Sequence, residues 1–394
     1  TSQVLNNYAR CLIQFSGPAS YDEADQLLHE AMHRINAKER AHPDLVRPLN
    51  NLAWLRLRQQ RRDEALIYAR HVLRLTERRL RQEGPALSES GLNALLGSLY
   101  RDEQNLYSVI AHLQELQEHK IPLDPKTLRG WQQLALATVL WRKQRSLDVQ
   151  AQRIKLFRAK AQVPELRSRI DAYIENQSRL AALSAALTFS NAQLSDQIER
   201  SRQYTKLSLE IDAQEKELST VLAPEVRAAW LGDNEDLREA PESIIDVVRM
   251  ALPEDTALVE LVSYQRRPFT AGSVDDPAHF PAHYQAFVLT RQGELTVRDL
   301  NEAAPIDGAL TALRAQLERP DSAPEVLLAA ERAAFERILR PLWSSTIKDH
   351  PRWLLALDGL ATQLPVAVLD DGAGPLIARY SIGYLEAGRH LQRA

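Results

Sequence analysis

Apolar residues recur at helical spacing through the first 160 positions, and the turn signals between them repeat. Segments 42–45 (HPDL) and 84–87 (GPAL) lie 42 residues apart, and each precedes a helical segment. The tripeptide DEA recurs at 22–24 and 63–65, where a second helix begins after a polar turn. Such a helix pair can bury its apolar face only against neighbouring pairs. The pattern therefore predicts a helical solenoid over residues 1–160, with a concave groove that suits a protein or peptide.

Residues 161–231 contain little proline or glycine, and their apolar residues form a heptad-like seam that begins with Leu166, Ile170 and Tyr173. This pattern predicts a long, coiled-coil-like helical connector. A straight helix of this length would extend for roughly 100 Å at 1.5 Å per residue. We therefore expect a fold-back with its turn near residues 188–191, although a single bent helix also satisfies the pattern.

Beyond residue 231 the apolar period changes from helical to strand-like. The strands are predicted at 257–262, 283–290, 294–298, 353–357 and 380–384, and the helices at 306–317 and 324–339. Strands and helices in this order indicate layered α/β structure over residues 232–394. The predicted fold class is therefore α + α/β in three parts: the solenoid, the connector and the α/β segment.

Two stretches resemble known families. Residues 49–54 (LNNLAW) with 61–65 (RRDEA) resemble tetratricopeptide repeats (TPRs) of the kinesin light chain type; the third predicted pair, with 101–105 (RDEQN) at its turn, departs from that pattern. Residues 358–369, which contain Asp-Gly, Leu-Pro and a final Leu, resemble the first conserved block of CHAT domains. CHAT domains are caspase-like peptidase domains that usually follow such repeats. The spacing from Asp-Gly to Leu-Pro is slightly longer here than in the family.

The CHAT resemblance implies that residues 232–394 form the first half of a caspase-like α/β domain. In that family the catalytic His and Cys lie further downstream, each at the end of a later strand. We expect the chain to end at Ala394 before either residue, so no catalytic residue is assigned and the activity of this chain alone stays open. The implied parent is a TPR-CHAT cysteine endopeptidase in bacterial defence or regulated cell death, whose repeats bind a partner or regulator. The alternative is a non-enzymatic TPR scaffold with a degenerate CHAT-like docking domain.

Composition narrows the choice of partners. The net charge is −3 with both signs mixed along the chain, which gives no bulk electrostatic reason to bind nucleic acid or a membrane surface. A single cysteine, Cys11, excludes an intrachain disulfide framework, and a reducing cytoplasm is the simplest setting. Cys11 itself is expected to be a small buried residue of the first helix.

Other chemistry is not indicated by the sequence. His279 and His283 with Asp275 and Asp276 imitate metal-ligand spacing, but they border a proline-rich loop and are interpreted as solvated polar residues. Phosphate-binding glycine loops and G-x-S-x-G elbows are absent from the sequence, so neither a metal nor a cofactor is predicted. Asp358 is interpreted as a turn residue after a core strand, and its place at the end of that strand makes a functional role the alternative.

Asparagines recur near the start of the first helix in successive predicted pairs. Their amides could hold the backbone of an extended peptide in the repeat groove. The candidate partner-binding residues are therefore Asn50, Asn51 and Asn93. The alternative interpretation is that they serve only as helix-start or turn residues.

Overall fold

The computed structural model describes residues 1–36, 42–189, 194–231, 240–267, 280–343 and 345–393. Most of these residues are helical, and the C-terminal part contains a mixed five-stranded sheet. The predicted α + α/β class is confirmed at this level. The chain divides into two compact units. The larger unit comprises residues 1–75, 100–143 and 236–394, and the smaller unit comprises residues 76–99 and 144–235.

The N-terminal helices are α1 (Ser2–Cys11), α2 (Tyr21–Asn36), α3 (Val46–Arg58), α4 (Arg62–Glu83), α5 (Glu89–Glu118) and α6 (Pro125–Arg142). Local sequence sets where they begin. Thr1 accepts a hydrogen bond from the Val4 amide at the start of α1, and Asp124 accepts one from the Thr127 amide at the start of α6. Small buried residues, Ala9 and Ala24, let α1 and α2 approach closely.

Helix α5 corrects one detail of the predicted repeats. The third pair was expected to turn at residues 101–105, but α5 is one continuous helix of 30 residues through that segment. Residues 98–121 contain neither glycine nor proline, so nothing local interrupts the helix. Buried residues such as Tyr107 and Ile110 add tertiary packing, which stabilises a long helix more than its intrinsic propensity does.

The smaller unit contains α7 (Arg145–Lys160), α8 (Pro164–Phe189) and α9 (Leu194–Leu231), together with the end of α4 and the start of α5. Helices α8 and α9 are antiparallel: Arg169 pairs with Glu217 at 3.0 Å, and further along α8 Asn176 donates to Gln214 at 3.2 Å. The predicted fold-back is confirmed. Its turn was placed at 188–191, of which residues 190 and 191 lie outside the described chain.

The sheet is preceded by α10 (Ile244–Ala251) and consists of β1 (Thr256–Gln265), β2 (Ala282–Thr290), β3 (Leu295–Glu302), β4 (Arg352–Ala356) and β5 (Ser381–Tyr384). The strand order is β3-β2-β1-β4-β5. Strand β2 is antiparallel to β1 and β3, whereas β4 is parallel to β1 and β5. Each of the five strands was predicted, with small differences at the ends.

Helices cover both faces of the sheet. On one face, α11 (Ala303–Leu317) and α12 (Pro324–Ile338) pack against Val259, Ala286 and Leu355. On the other face, Tyr107 of α5 contacts Tyr264 of β1 and Phe287 of β2 through edge-on ring contacts at 5.8 and 6.5 Å. This double cover explains why β1 and β2 are almost continuously buried. A short helix, α13 (Ser345–Lys348), leads into β4.

Candidate functional site

The Asp-Gly turn lies directly after β4, at the carboxyl edge that β4 shares with β1. Asp358 accepts hydrogen bonds from the Ser263 amide of β1 at 2.9 Å and from the Gly359 amide at 2.8 Å. Gly359 adopts φ +58°, and a Cβ atom there would lie 2.5 Å from the Tyr284 hydroxyl. Glycine is therefore required at this position by both backbone conformation and space.

Tyr284 of β2 anchors the same turn. Its hydroxyl donates to Asp307 of α11 at 2.9 Å and accepts from the Leu360 amide at 3.1 Å. Burial, with the hydrogen bond to Asp307, raises the pKa of Tyr284, so the hydroxyl keeps its proton. The turn is thus held to β1, β2 and α11 at once, and Asp358 has a fixed orientation at the carboxyl edge of the sheet.

The rest of the block is tied to β5. A helical turn at Gly359–Gln363 is followed by Leu364-Pro365 and a second turn at Val366–Val368. The Val366 amide donates to the hydroxyl of Tyr384, the last residue of β5, at 2.9 Å. Leu364 and Leu369 are buried in the core beneath the sheet. The apolar spacing of this block therefore reflects packing, and the Tyr384 hydroxyl binds two of its backbone groups, the Val366 amide and the Leu364 carbonyl.

A buried lysine joins the N-terminal helices to the sheet. Lys143, which caps the carboxyl end of α6, places its Nζ 3.0 Å from Glu260 Oε2 of β1. It also donates to the carbonyl oxygens of Leu261, at 3.0 Å, and of Ala356, which ends β4. Its side chain is 6% exposed and that of Glu260 is fully buried. Lys143 therefore fixes the end of β4 two residues before Asp358.

The C-terminal turn at Gly388–Arg393 closes this lysine cluster. The other Glu260 oxygen, Oε1, accepts the Gly388 amide hydrogen. Arg389 donates to the Leu140 carbonyl at 2.9 Å and to the Lys143 carbonyl. These carbonyls belong to the last turn of α6 and its cap, which lack helical partners. The cluster thus satisfies buried polar groups from α6, β1, β4 and the C-terminal turn together.

Polar side chains of α5 complete the backbone hydrogen bonding of the sheet. Gln104 accepts from the Gln265 amide, and Ser108 accepts from the Arg267 amide at 2.9 Å. Gln114 pairs with the edge strand β3: its Nε2 donates to the Val297 carbonyl and its Oε1 accepts the Asp299 amide at 2.9 Å. An amide placed on an edge in this way occupies backbone groups that could otherwise pair with another strand.

Asn50 and Asn51 both contact other helices of the larger unit. Asn51 Nδ2 donates to Asn6 Oδ1 of α1 at 2.8 Å, and Asn50 forms a hydrogen bond with Asp102 of α5. Burial raises the pKa of Asp102 to about 6, against the lowering effect of that hydrogen bond and of Arg142. Asn93 is exposed and belongs to the smaller unit. The three candidate residues are therefore divided between the two units, and their partner-binding role stays a prediction.

A large cavity of about 1470 Å³ lies in the larger unit, between the N-terminal helices and one end of the sheet. Its walls come from the end of α3, the start of α4, the middle of α5, the residues after β1, the end of β3, the start of α11 and the end of α12. We call it the basic cleft, because its described lining contains three glutamates against five arginines: Arg58, Arg62, Arg266, Arg267 and Arg337.

Ion pairs within the chain engage two of the three glutamates. Glu115 binds Arg266, and Glu336 lies 3.3 Å from Arg340 outside the lining. Burial lowers the pKa of His112 in the cleft wall; Glu115 opposes this, while Arg62 and Arg266 lower the pKa further. Burial is thus the main cause of the lowered pKa, and each of the two arginines contributes less than the opposing charge of Glu115.

Two expectations about burial need correction, one for His283 and one for Cys11. His283, expected among solvated loop residues, is 5% exposed on β2, and its Nδ1 lies 3.4 Å from Asp299. His279, Asp275 and Asp276 lie outside the described residues. Cys11, expected to be buried, is exposed: it ends α1, and it lies two residues, or about 200° around the helix, from the buried Ala9. Within the described ranges no group of three or more His, Cys, Asp or Glu side chains could hold a metal ion.

No protein-family model and no curated protein matches this chain. Among the helices that the structure describes, none is both long and apolar enough to cross a membrane. The site must therefore be interpreted from its own geometry. The sequence did not indicate the Lys143–Glu260 pair, because the two residues lie more than 100 positions apart along the chain. It did not indicate the basic cleft either, because the cleft is lined by residues from distant segments.

Proposed function

We propose that this chain is the N-terminal portion of a TPR-CHAT caspase-like cysteine endopeptidase. The supporting observation is the arrangement after β4: an Asp358-Gly359 turn at the carboxyl edge, two helical turns around Leu364-Pro365, and a parallel strand β5 that ends at Tyr384. The order of Asp-Gly, Leu-Pro and a final Leu after a strand is the one that the first CHAT block implies. On this proposal residues 232–394 supply the first half of the caspase-like domain.

The catalytic residues are proposed to follow this block in the parent protein. A cysteine peptidase needs a thiolate, an imidazole base within hydrogen-bond reach and backbone amides to hold the oxyanion. Cys11 is exposed, but it lies on α1, far along the chain from the Asp358 turn, and no base is assigned to it. The CHAT resemblance instead implies a His and a Cys at the ends of later strands, with a protein as the substrate.

The helices α1–α6 are proposed to bind a protein partner or regulator, in bacterial defence or regulated cell death. Within the larger unit, Lys143 connects α6 with the middle of β1 and the end of β4, next to the Asp358 turn. A partner that shifts α6 would therefore move the carboxyl edge of the sheet. The single thiol of the chain fits a reducing cytoplasm, which we propose as the setting.

Partner binding is tested by replacing Asn50, Asn51 and Asn93 together with Ala. We expect the variant to bind a purified partner, isolated from the host cell, at least about tenfold more weakly, a loss of about 1.4 kcal/mol. Isothermal titration calorimetry measures the affinity, and circular dichroism confirms intact helicity. Gln117→Ala, an exposed amide on α5, is the matched control and should bind normally. Unchanged affinity with intact helicity would remove these asparagines from the partner site.

The alternative, a non-enzymatic TPR scaffold with a degenerate CHAT-like docking domain, makes the same prediction for partner binding. Cleavage assays with the complete gene product separate the two functions. The scaffold would bind the partner without cleaving any peptide, whereas the endopeptidase would lose cleavage when its catalytic cysteine is replaced.

A further inference from the structure

We propose that the basic cleft binds an extended acidic peptide segment of a partner protein, with carboxylates on the arginines and apolar side chains against α5 and α11. This inference rests on the proposed partner-binding role of the helices, and it adds the location and the chemistry of the site. The cleft is lined by α3 and α5 as well as by the sheet, and the Asp358 turn is not among its walls.

The charge of the cleft differs from that of the chain. Arginine exceeds glutamate in its described lining, although the whole chain carries a net charge of −3. Arg62, at the first position of α4, is half-buried, and Arg337 on α12 is exposed. Guanidinium groups bind carboxylates through two parallel hydrogen bonds, and pairs of this kind are shielded from solvent when the ligand covers them.

The size of the cleft favours a peptide over a small anion. Its volume of about 1470 Å³ exceeds the roughly 300–1,000 Å³ of ordinary small-molecule sites. A second cavity of about 720 Å³ shares Gln60, Arg62 and Leu113 with it. The two cavities are therefore neighbours at the turn between α3 and α4. An extended chain spans such a groove at about 3.3 Å per residue, whereas a compact anion would occupy only part of it.

The walls between the arginines favour a peptide over nucleic acid. They carry aliphatic residues, among them Leu57, Val109 and Ile306, which suit the apolar side chains of a peptide. Single-stranded nucleic acid is bound on successive aromatic platforms. The described lining offers Tyr21 and Phe280, and the guanidinium of Arg267 already covers the Phe280 ring at 5.6 Å.

The test uses the whole chain and a display library of random twelve-residue peptides. We expect peptides selected on the wild-type chain to be enriched in Asp and Glu. A selected peptide, labelled with fluorescein, should bind the Arg62→Glu/Arg337→Glu variant at least about tenfold more weakly by fluorescence polarisation. Its affinity should also fall between about 50 and 500 mM NaCl, because salt screens these ion pairs.

The matched control is Arg47→Glu/Arg319→Glu, which makes the same change in charge at exposed arginines outside the lining. It should bind the peptide as the wild type does. Both variants are checked by circular dichroism, and Arg62→Gln/Arg337→Gln replaces the first if it misfolds. Three results would each overturn the proposal. They are selected peptides without acidic enrichment, equal binding of the peptide by both variants, or an effect of the cleft substitutions on the binding of a random single-stranded RNA pool but not of the peptide. Partner binding or cleavage that survives the cleft substitutions would leave the proposed function intact.

Discussion

Replacing Lys143 with Met should strongly destabilise the larger unit. The substitution leaves Glu260, whose side chain is fully buried, without the ammonium group that lies 3.0 Å away. Removing one partner of a buried ion pair costs about 3–5 kcal/mol, because the remaining charge stays desolvated. The carbonyls of Leu261 and Ala356 also lose their donor. We therefore expect a loss of about 3–5 kcal/mol in the free energy of unfolding of this unit.

Hydrogen exchange measured by mass spectrometry localises the effect. Each 1.4 kcal/mol is a factor of ten in an equilibrium constant, so amides of β1 and β4 that exchange only when the whole unit unfolds should exchange roughly a hundredfold to several thousandfold faster. Lys206→Met is the matched control, because the Lys206 side chain is 82% exposed and its nearest carboxylate is 4.0 Å away. That exposed pair should contribute less than about 0.5 kcal/mol.

A double-mutant cycle separates the ion pair from general packing. Lys143→Met/Glu260→Met removes both charges, and we expect it to be more stable than Lys143→Met alone by about 1–3 kcal/mol. Wild-type exchange rates for β1 and β4 in Lys143→Met would refute the assigned role of the lysine. Additive effects of the two substitutions would show that Lys143 and Glu260 do not interact across the α6–β1 contact.

Two further predictions concern the larger unit. Because Asp102 has a pKa of about 6, above its ordinary value, the stability that its proton contributes is present below about pH 4 and is lost as the pH rises through 6. The free energy of unfolding of Asp102→Asn, measured in urea, should therefore rise by about 1 kcal/mol relative to that of the wild type between pH 5 and pH 8. A difference between the two proteins that does not change with pH would contradict the raised pKa. Gly359→Ala should cost about 2 kcal/mol or more by thermal unfolding, because its Cβ would meet the Tyr284 hydroxyl at 2.5 Å. Gly372→Ala, also at positive φ but with no atom within 4 Å of the added Cβ, should cost less. Equal losses of stability in the two variants would show that the contact with the Tyr284 hydroxyl is not the cause.

The strands could be predicted because their signal is local. The run 257–262, apolar except for Glu260, and the continuous apolar run 353–357 indicate burial on both faces, and the structure places helices on both sides of β1. The fold-back of α8 and α9 followed from the length of the apolar seam. The error in α5 also has a local origin: residues 101–105 are polar like a turn, but several of their neighbours pack against the sheet.

The candidate site could be predicted only in part. Asp358 follows a recognisable strand, so its position at the carboxyl edge was expected, and the structure adds its bond to Ser263. Lys143 and Glu260 are ordinary charged residues in the sequence, and only the packing of α6 on β1 makes them a buried pair. The basic cleft collects arginines from α3, α4, the residues after β1, and α12; residues 56–62 (RLRQQRR) are locally basic, but their sequence does not indicate that they lie near Arg266 and Arg337. Contacts of this kind leave no trace in periodicity or spacing.

Comparison of peptide cleavage by this chain and by the complete gene product tests the proposed function most directly. Both purified proteins are incubated with a broad peptide library, with and without the partner, and products are identified by mass spectrometry. We predict no cleavage by the 394-residue chain and cleavage by the complete product, which should be lost when the cysteine that ends a later strand is replaced with Ala. Absence of such a cysteine or of cleavage from the complete product, or cleavage by this chain that disappears on Cys11→Ala, would contradict the proposal.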